Sequence, residues 1–191
     1  MQAKTKLAVA LGSSLAAVGS MFIVGVSQDE INRTKVHEGY SSTVYADAGK
    51  VYTQGFGSTV KPNGKPITKY DAPIDRKTAT VYLQHHYDVR VTPHLNKSLQ
   101  GIKISQIEYD VAANFIYQYG AGAWLRSTML TELKSGNYVA SCKAYLRYAL
   151  IKRRNKQGVI IETINCRTDK RCRGVFKRSN ERYERCMGAN T

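Results

Sequence analysis

The sequence predicts an α+β protein carrying an apolar helix at its N-terminus. Three observations lead there. Leu7 to Val26 is a run of twenty residues without a charge. Ser41 to Gly57 joins an extended-favouring stretch, a turn signal and a glycine-rich alternating stretch, the pattern of a small hairpin. From Arg76 onward, apolar residues recur at helical spacing behind capping residues. The one clear boundary lies near Ser27 and divides the chain into residues 1–28 and a domain of residues 29–191.

Each element has a local reason. Asp29 to Glu38 reads as a short amphipathic helix with Ile31 and Val36 inward. Ser41 to Tyr45 favours extended chain. Asp47-Ala48-Gly49-Lys50 is a turn in which Gly49 can take positive φ. Val51 to Gly57 alternates as a strand, and Lys61 to Pro66 is a turn that closes the β region. Asp75 can cap a helix from Arg76 to about Val91 that buries Ala79, Tyr82, Leu83 and Tyr87. Ser105 and Glu108 form a capping box. It opens a central core helix through Val111, Ala112, Phe115, Ile116 and Tyr119, stopped by Gly120 and Gly122. Ser127 or Thr128 caps a helix from Met129 to Lys134, and Tyr138 to Ile151 forms another. Gln157 to Ile164 fits strand or loop, and Gly174 to Met187 is a final basic helix. There is no internal repeat.

The formal charge is +15, of which residues 1–28 hold two lysines and no acid, leaving +13 for the rest. That excess implies a polyanionic partner. Nucleic acid is set aside because Lys4 and Lys6 ahead of the apolar run form an export signal, with the following chain on the outer side. A bacterial wall and a membrane surface are also anionic. The four cysteines, Cys142, Cys166, Cys172 and Cys186, lack metal-site spacing, and in an oxidising compartment an even count reads as disulfides. Three pairings are possible. The favoured pairs are Cys166 with Cys172, which closes a short loop, and Cys142 with Cys186, which would join two helices; the alternative is that one or both pairs stay reduced and simply pack.

The densest chemistry lies between His37 and Gly57. Glu38 and Asp47 are its only acids, with eight residues between them, and Thr53 follows after five more. A helix ending at Glu38 and a hairpin folding back beside it would gather an acid, a base and a hydroxyl around a cleft. Glycoside hydrolysis uses that set: one carboxyl donates a proton to the leaving oxygen, and the other acts ionised on a water or on the sugar cation.

E-G-Y-S-S-T-V-Y-A-D followed by G-K-V-Y-T-Q-G-F-G-S resembles the active-site segment of the bacteriophage lysozymes, glycoside hydrolase family 24, and matches their Glu-x8-Asp-x5-Thr triad without a gap. The resemblance implies a lysozyme-like fold, with a small sheet-bearing lobe and a helical lobe joined by a long helix. F-I-Y-Q-Y-G-A-G-A-W and R-S-T-M-L look like the stretch that floors the family's substrate cleft. There Gln118 would be a cleft-lining amide, with Ser127 and Thr128 on the adjoining turn. Each also has a structural reading, as a partner for a buried backbone group or as a helix cap. C-R-G-V-F-K-R-S-N-E resembles the family's closing stretch, where Arg178 would serve architecture. Lys152 to Arg171 departs from the family in being long.

Three readings compete for the apolar segment, whose twenty residues suffice to cross ~30 Å of hydrocarbon at roughly 1.5 Å each. A cleavable signal peptide fits Ala17-Val18-Gly19 before Ser20, although Met21 to Val24 continue the apolar run. A permanent anchor fits the length, but half of the residues are Gly, Ala or Ser. The third reading is an anchor that leaves the bilayer. Ala8, Gly12, Ala16 and Ser20 form one small-residue stripe, and small side chains lose little transfer energy on leaving lipid. This resembles the signal-anchor-release segment of one endolysin subgroup, which holds the enzyme inactive at the inner membrane and frees it to the periplasm on depolarisation.

Weaker candidates remain. His85 and His86 read as surface residues, since neighbours in sequence do not share a helical face. His37 beside Glu38 reads as incidental. Lys152-Arg153-Arg154 reads as a solvated patch and the tyrosines as interface filler.

The combined expectation is an endolysin. This muramidase would hydrolyse the β-1,4 bond between N-acetylmuramic acid and N-acetylglucosamine in peptidoglycan with inversion. Glu38 would be the general acid, and Asp47 and Thr53 would place the water. No metal or cofactor is expected, and the chain is expected to be monomeric. Its partners would be glycan strands and, through the N-terminal segment, the inner membrane. The rivals are a lytic transglycosylase, which could dispense with Asp47 and Thr53, and a membrane-anchored wall-binding module without catalysis.

Overall fold

The first helix, α1 (Gln28–Glu38), starts where Ser27 turns its side chain to accept the Glu30 N–H. In this computed structural model, residues 7–8, 23–47 and 49–190 are described. They fall into two compact units, one within residues 6–123 and the other within 124–191.

The first unit is built around α1, a hairpin and a central helix. Leu7–Ala8 (β1) is extended and pairs antiparallel with Lys103–Ile104 (β4). The rest of the expected apolar helix, up to Phe22, lies outside the described residues. Ile23 is buried, and the chain after it is tied down. Gln106 donates to the Gly25 carbonyl (3.0 Å), while the Ser27 N–H (2.9 Å) and hydroxyl both donate to Asp110. After α1 come β2 (Ser41–Ala46) and β3 (Tyr52–Gly55), which form an antiparallel pair with Tyr45 opposite Thr53. The expected turn is present, with the Lys50 N–H on the Asp47 carbonyl at 2.9 Å. Its positive φ falls on Lys50 rather than Gly49, because Asp47 Oδ1 draws in the N–H groups of both Gly49 and Val51 at 2.8 Å. Gly55, at φ +69, lies flat on α2 (Arg76–His86), where an added Cβ would stand 2.9 Å from the Ala79 Cβ.

Two expectations are corrected in this unit. Val36 does not face inward but is 82% exposed. It sits about 140° around the helix from buried Ile31, at about 100° per residue. The inward face is completed instead by Glu30 and Thr34. The helix expected to run to Val91 ends as α-helix at His86, widens into a π turn over Tyr87–Val91, and restarts as α3 (Thr92–Ser98). Pro93 explains the break. It has no N–H for the Val89 carbonyl, and the Thr92 N–H reaches back five residues to Tyr87. Ala79, Leu83 and Tyr87 are buried as expected, with Tyr82 only partly so.

The central helix α4 (Gln106–Tyr119) has the expected capping box, Ser105 to Glu108, and stops at Gly120 with φ 82. Tyr109, Val111, Ala112, Ala113 and Phe115 are fully buried along it, and Leu83, Tyr87, Leu95 and Ile31 complete the core.

The second unit begins at Trp124, within α5 (Ala121–Leu125). Ser127 caps α6 (Thr128–Lys134) by accepting the Leu130 N–H at 3.1 Å. The helix expected over Tyr138–Ile151 is shorter. Here α7 (Tyr138–Ala144) passes into a 3-10 turn, Tyr145–Tyr148, and the chain then becomes β5 (Leu150–Arg154). The buried Ser179 hydroxyl takes the Tyr145 carbonyl at 2.6 Å. Leu150 and Ile151 pair with Asn165 and Ile164 of β6 (Ile160–Asn165), which resolves the undecided 157–164 stretch as a strand in its second part. The final helix is α8 (Arg173–Gly188). Both favoured disulfides are present. Cys142–Cys186 joins α7 to α8, and Cys166–Cys172 closes a short loop before α8. Among the described residues, no helix is long and apolar enough to cross a membrane.

Candidate active site

Glu38 is the last residue of α1, and the rotation of that helix is set by buried polar groups. Glu30 is fully buried and its Oε1 accepts from Asn114 of α4 at 2.7 Å and from Thr34 at 3.3 Å. The Thr34 hydroxyl in turn meets the Tyr87 hydroxyl at 2.7 Å. These bonds connect α1 to α4 and to the π turn, and Gly39 at φ 70 ends the helix so that Glu38 stands exposed at its tip.

The surroundings of the Glu38 carboxyl are specific. A Cβ built on Gly57 would lie 3.3 Å from Glu38 Oε2 and 3.6 Å from the Tyr117 hydroxyl oxygen. The three groups therefore share one corner. Tyr117 reaches it from α4, donates to the Phe56 carbonyl at 3.2 Å, stacks on Tyr87 at 5.2 Å and receives the edge of His86 at 5.0 Å. Burial above all holds the Tyr117 phenol far above its usual range, and the negative charge of Glu38, then Tyr45, adds to that shift. It is a neutral hydroxyl at physiological pH.

Asp47 and Thr53 lie across the hairpin. The Asp47 carboxylate is exposed, and its Oδ1 is oriented by the Gly49 and Val51 N–H groups. Thr53 is 4% exposed and its hydroxyl donates to the Val51 carbonyl at 3.1 Å, an arrangement that directs oxygen lone pairs elsewhere to accept. The strand is anchored beneath by Gln54, which donates to the Ser42 and Ala72 carbonyls at 2.9 and 2.8 Å. An exposed carboxyl on a helix tip, a second one oriented by backbone donors and an accepting hydroxyl suit acid and base work on a polar substrate.

The other expected site residues are placed as follows. Gln118 is half-buried on the last turn of α4. Ser127 is 2% exposed and committed to capping α6. Thr128 accepts from Arg147 at 3.0 Å. Ser127 and Thr128 lie in the second unit. His37 is exposed. His85 and His86, expected on the surface, instead help line a hollow of about 460 Å³ in the first unit, with Thr59, Arg90, His94 and Tyr117. Burial chiefly, then Arg90 and His85, hold the His86 imidazole below its ordinary value. Among the described residues, no cluster of three His, Cys, Asp or Glu side chains could hold a metal.

Sequence reasoning missed Tyr117 and Gly57. The signal was there in part. The G-F-G run placed a glycine where close approach is needed, and Y-Q-Y put an aromatic beside the chosen amide. Nothing local ties either to Glu38.

Comparison with known proteins gives a consistent picture. The phage lysozyme family model matches residues 35–171. The endolysin of Salmonella phage P22 is 27% identical over 121 residues, covering 63% of this chain and 81% of the relative. Among solved structures, the endolysin from Escherichia coli O157:H7 phage FAHEc1 superposes with a TM-score of 0.66 at 21% identity, covering 85% of this chain and 92% of that one. A point mutant of P22 lysozyme gives 0.64 at 23% identity, covering 86% and 99%.

Proposed function

The chain belongs to the phage lysozyme family, with the lysozyme-like fold and the peptidoglycan-hydrolysing activity of an endolysin, and from that premise we propose how its residues divide the work. Glu38 is the general acid for the glycosidic oxygen between N-acetylmuramic acid and N-acetylglucosamine. Asp47 stabilises the developing positive charge on the sugar, orients the attacking water together with the accepting lone pairs of Thr53, and takes the proton that the water gives up as it adds. The outcome is inversion, as expected where a water stands between sugar and carboxylate.

The observation that carries this assignment is the corner made by Glu38, Gly57 and Tyr117. A neutral phenol and a side-chain-free backbone beside the carboxyl leave room for a glycosidic oxygen to approach it. Glu38→Gln keeps the shape but cannot act as an acid, and hydrolysis of purified sacculi should fall by about 10²–10⁴-fold. Comparable activity in that variant would remove Glu38 from the mechanism. Product ends separate the remaining rivals: a reducing muramic acid end means hydrolysis, an anhydro end means a transglycosylase, and no product means a binding module.

For residues 1–28 the reading is a releasable tether that exports the enzyme, holds it at the inner membrane and later frees it to the periplasm. Its support is the uncharged run rich in Gly, Ala and Ser. Replacing Gly12, Ala16 and Gly19 with leucine adds roughly 1.5–3 kcal/mol of apolar burial each. It should trap full-length protein in the membrane fraction after depolarisation, while the unaltered chain becomes soluble with its N-terminus intact. A soluble form starting at Ser20 or later would instead mean a cleaved signal peptide.

A further inference from the structure

The β5–β6 hairpin of the second unit plays no part in the chemistry above, and its two faces differ sharply. Strand register puts Ile151 and Arg153 on one face with Ile164 and Glu162. On that face Ile151, Ile164 and Glu162 are half-buried. The hairpin's only acid, Glu162, is engaged there by Arg153 at 3.2 Å and by Arg171 at 3.7 Å. The opposite face presents Leu150, Lys152 and Arg154 beside Ile160 and Thr163, all exposed and without a carboxylate among them. The register shift between Arg153 and Arg154 leaves Ile161 as an extra residue, 66% exposed, and Val159 beside it at the turn is 58% exposed. Asn155 holds that turn by accepting from Gln157 and Val159, at 3.0 and 2.9 Å, and Cys166–Cys172 closes the chain at the hairpin's base.

We propose that this hairpin is a docking arm for an anionic phospholipid surface. Charge complementarity identifies the partner class, since Lys152, Arg154 and Lys156 stand beside no unpaired acid. The apolar tip selects a bilayer over a soluble polyanion. Glycan and polyphosphate chains give Val159 and Ile161 nothing to bury against, whereas the boundary between headgroups and acyl chains takes isoleucine and lysine side by side. A two-stranded ribbon already paired along its length can enter that boundary without first ordering itself.

The test is co-sedimentation of the full chain with sucrose-loaded vesicles, phosphatidylglycerol with phosphatidylethanolamine against phosphatidylcholine alone. The N-terminal segment is the same in every sample. Lys152→Gln with Arg154→Gln should lower partitioning onto the anionic vesicles by roughly 25-fold, about fivefold per basic group near a charged surface. Val159→Ser with Ile161→Ser should lower it by about tenfold or more. The exposed pair Lys97→Gln with Lys134→Gln removes equal charge elsewhere and should change it little. Melting temperature and hydrolysis of sacculi, measured on all variants, should match the unaltered chain. In a second measurement, Ile161→Trp should blue-shift its emission on anionic vesicles and be quenched by brominated lipid. The proposal is overturned if hairpin variants partition like the unaltered chain, if the control pair loses as much, or if the reporter does not shift. It is overturned equally if the basic pair matters for binding to sacculi but not to vesicles, which would make the partner a wall polymer.

Discussion

Replacing Gly57 with alanine isolates what the corner around Glu38 does. Two costs arise at once. Gly57 has φ +84, and an L-residue in the left-handed region costs about 1–2 kcal/mol. The new methyl would also stand 3.3 Å from Glu38 Oε2, inside the ordinary 3.4–4 Å contact range, so the carboxyl must give way by a few tenths of an ångström. Misplacing a reacting group costs on the order of 10² in rate per ångström. A few tenths therefore corresponds to a loss of roughly three- to tenfold in kcat, with KM moved less. The backbone cost lowers Tm by about 2–8 °C for a protein of this size. Gly101→Ala is the matched control, because Gly101 has φ +79 and nothing within 4 Å of the position its Cβ would take. It should show the same loss of Tm and no loss of rate. Melting curves and initial rates of sacculus hydrolysis on the two variants settle the matter. Equal rates in both would refute the reasoning, since the crowding of Glu38 would then have no consequence for catalysis.

Other outcomes follow from the disulfides and from His86. Loop-closure entropy assigns about 4 kcal/mol to Cys142–Cys186, which spans 44 residues, and about 2 kcal/mol to Cys166–Cys172, which spans 6. Cys142→Ser with Cys186→Ser should thus lower the urea midpoint more than Cys166→Ser with Cys172→Ser, and the reverse order would count against loop length as the cause. The His86 imidazole is held below its ordinary value of 6.5, mainly by burial. The unfolded chain therefore binds a proton first, so the stabilisation is complete above about pH 6.5 and is lost as pH falls through the lower folded value. His86→Phe keeps a ring against Tyr117 and should flatten the decline of Tm between pH 7 and 5; an unchanged slope would show that His86 does not contribute to it.

What could be seen in the sequence was local. Asp75, Ser105 with Glu108, and Gly120 announce helix ends within a few residues of themselves, and the helices begin and stop there. The two cysteine pairs were legible from spacing, since one closes a short loop and the other remains. Glu38, Asp47 and Thr53 stand in one short run, so their grouping needs only a helix end and a hairpin. What could not be seen depends on distant partners. Nothing local marks Glu30 for burial, and part of what makes that burial tolerable is Asn114, 84 residues away, which donates to it. Tyr145 to Ile151 has helical composition, but Ser179 takes a carbonyl and the β6 strand takes Leu150 and Ile151, so the helix stops at Ala144. Tyr117 meets Glu38 only because α1 and α4 are packed together, and that packing has no signature in either segment.

The polar seating of α1 also bears on how this protein can be redesigned. Its buried face has a single aliphatic side chain, Ile31, flanked by Glu30 and Thr34. A greasy seam would let the helix slip or roll by fractions of a turn, but directional bonds from Asn114 and Tyr87 admit one angle. The helix behaves like a keyed shaft, with its register set near the middle and the working carboxyl carried at the tip. Asn32 and Val36 are exposed and lie away from the key. Those two positions can be recoded for charge, solubility or a fluorescent label while Glu38 keeps its aim, whereas a conservative change at Glu30 or Thr34, nowhere near the substrate, would throw it off.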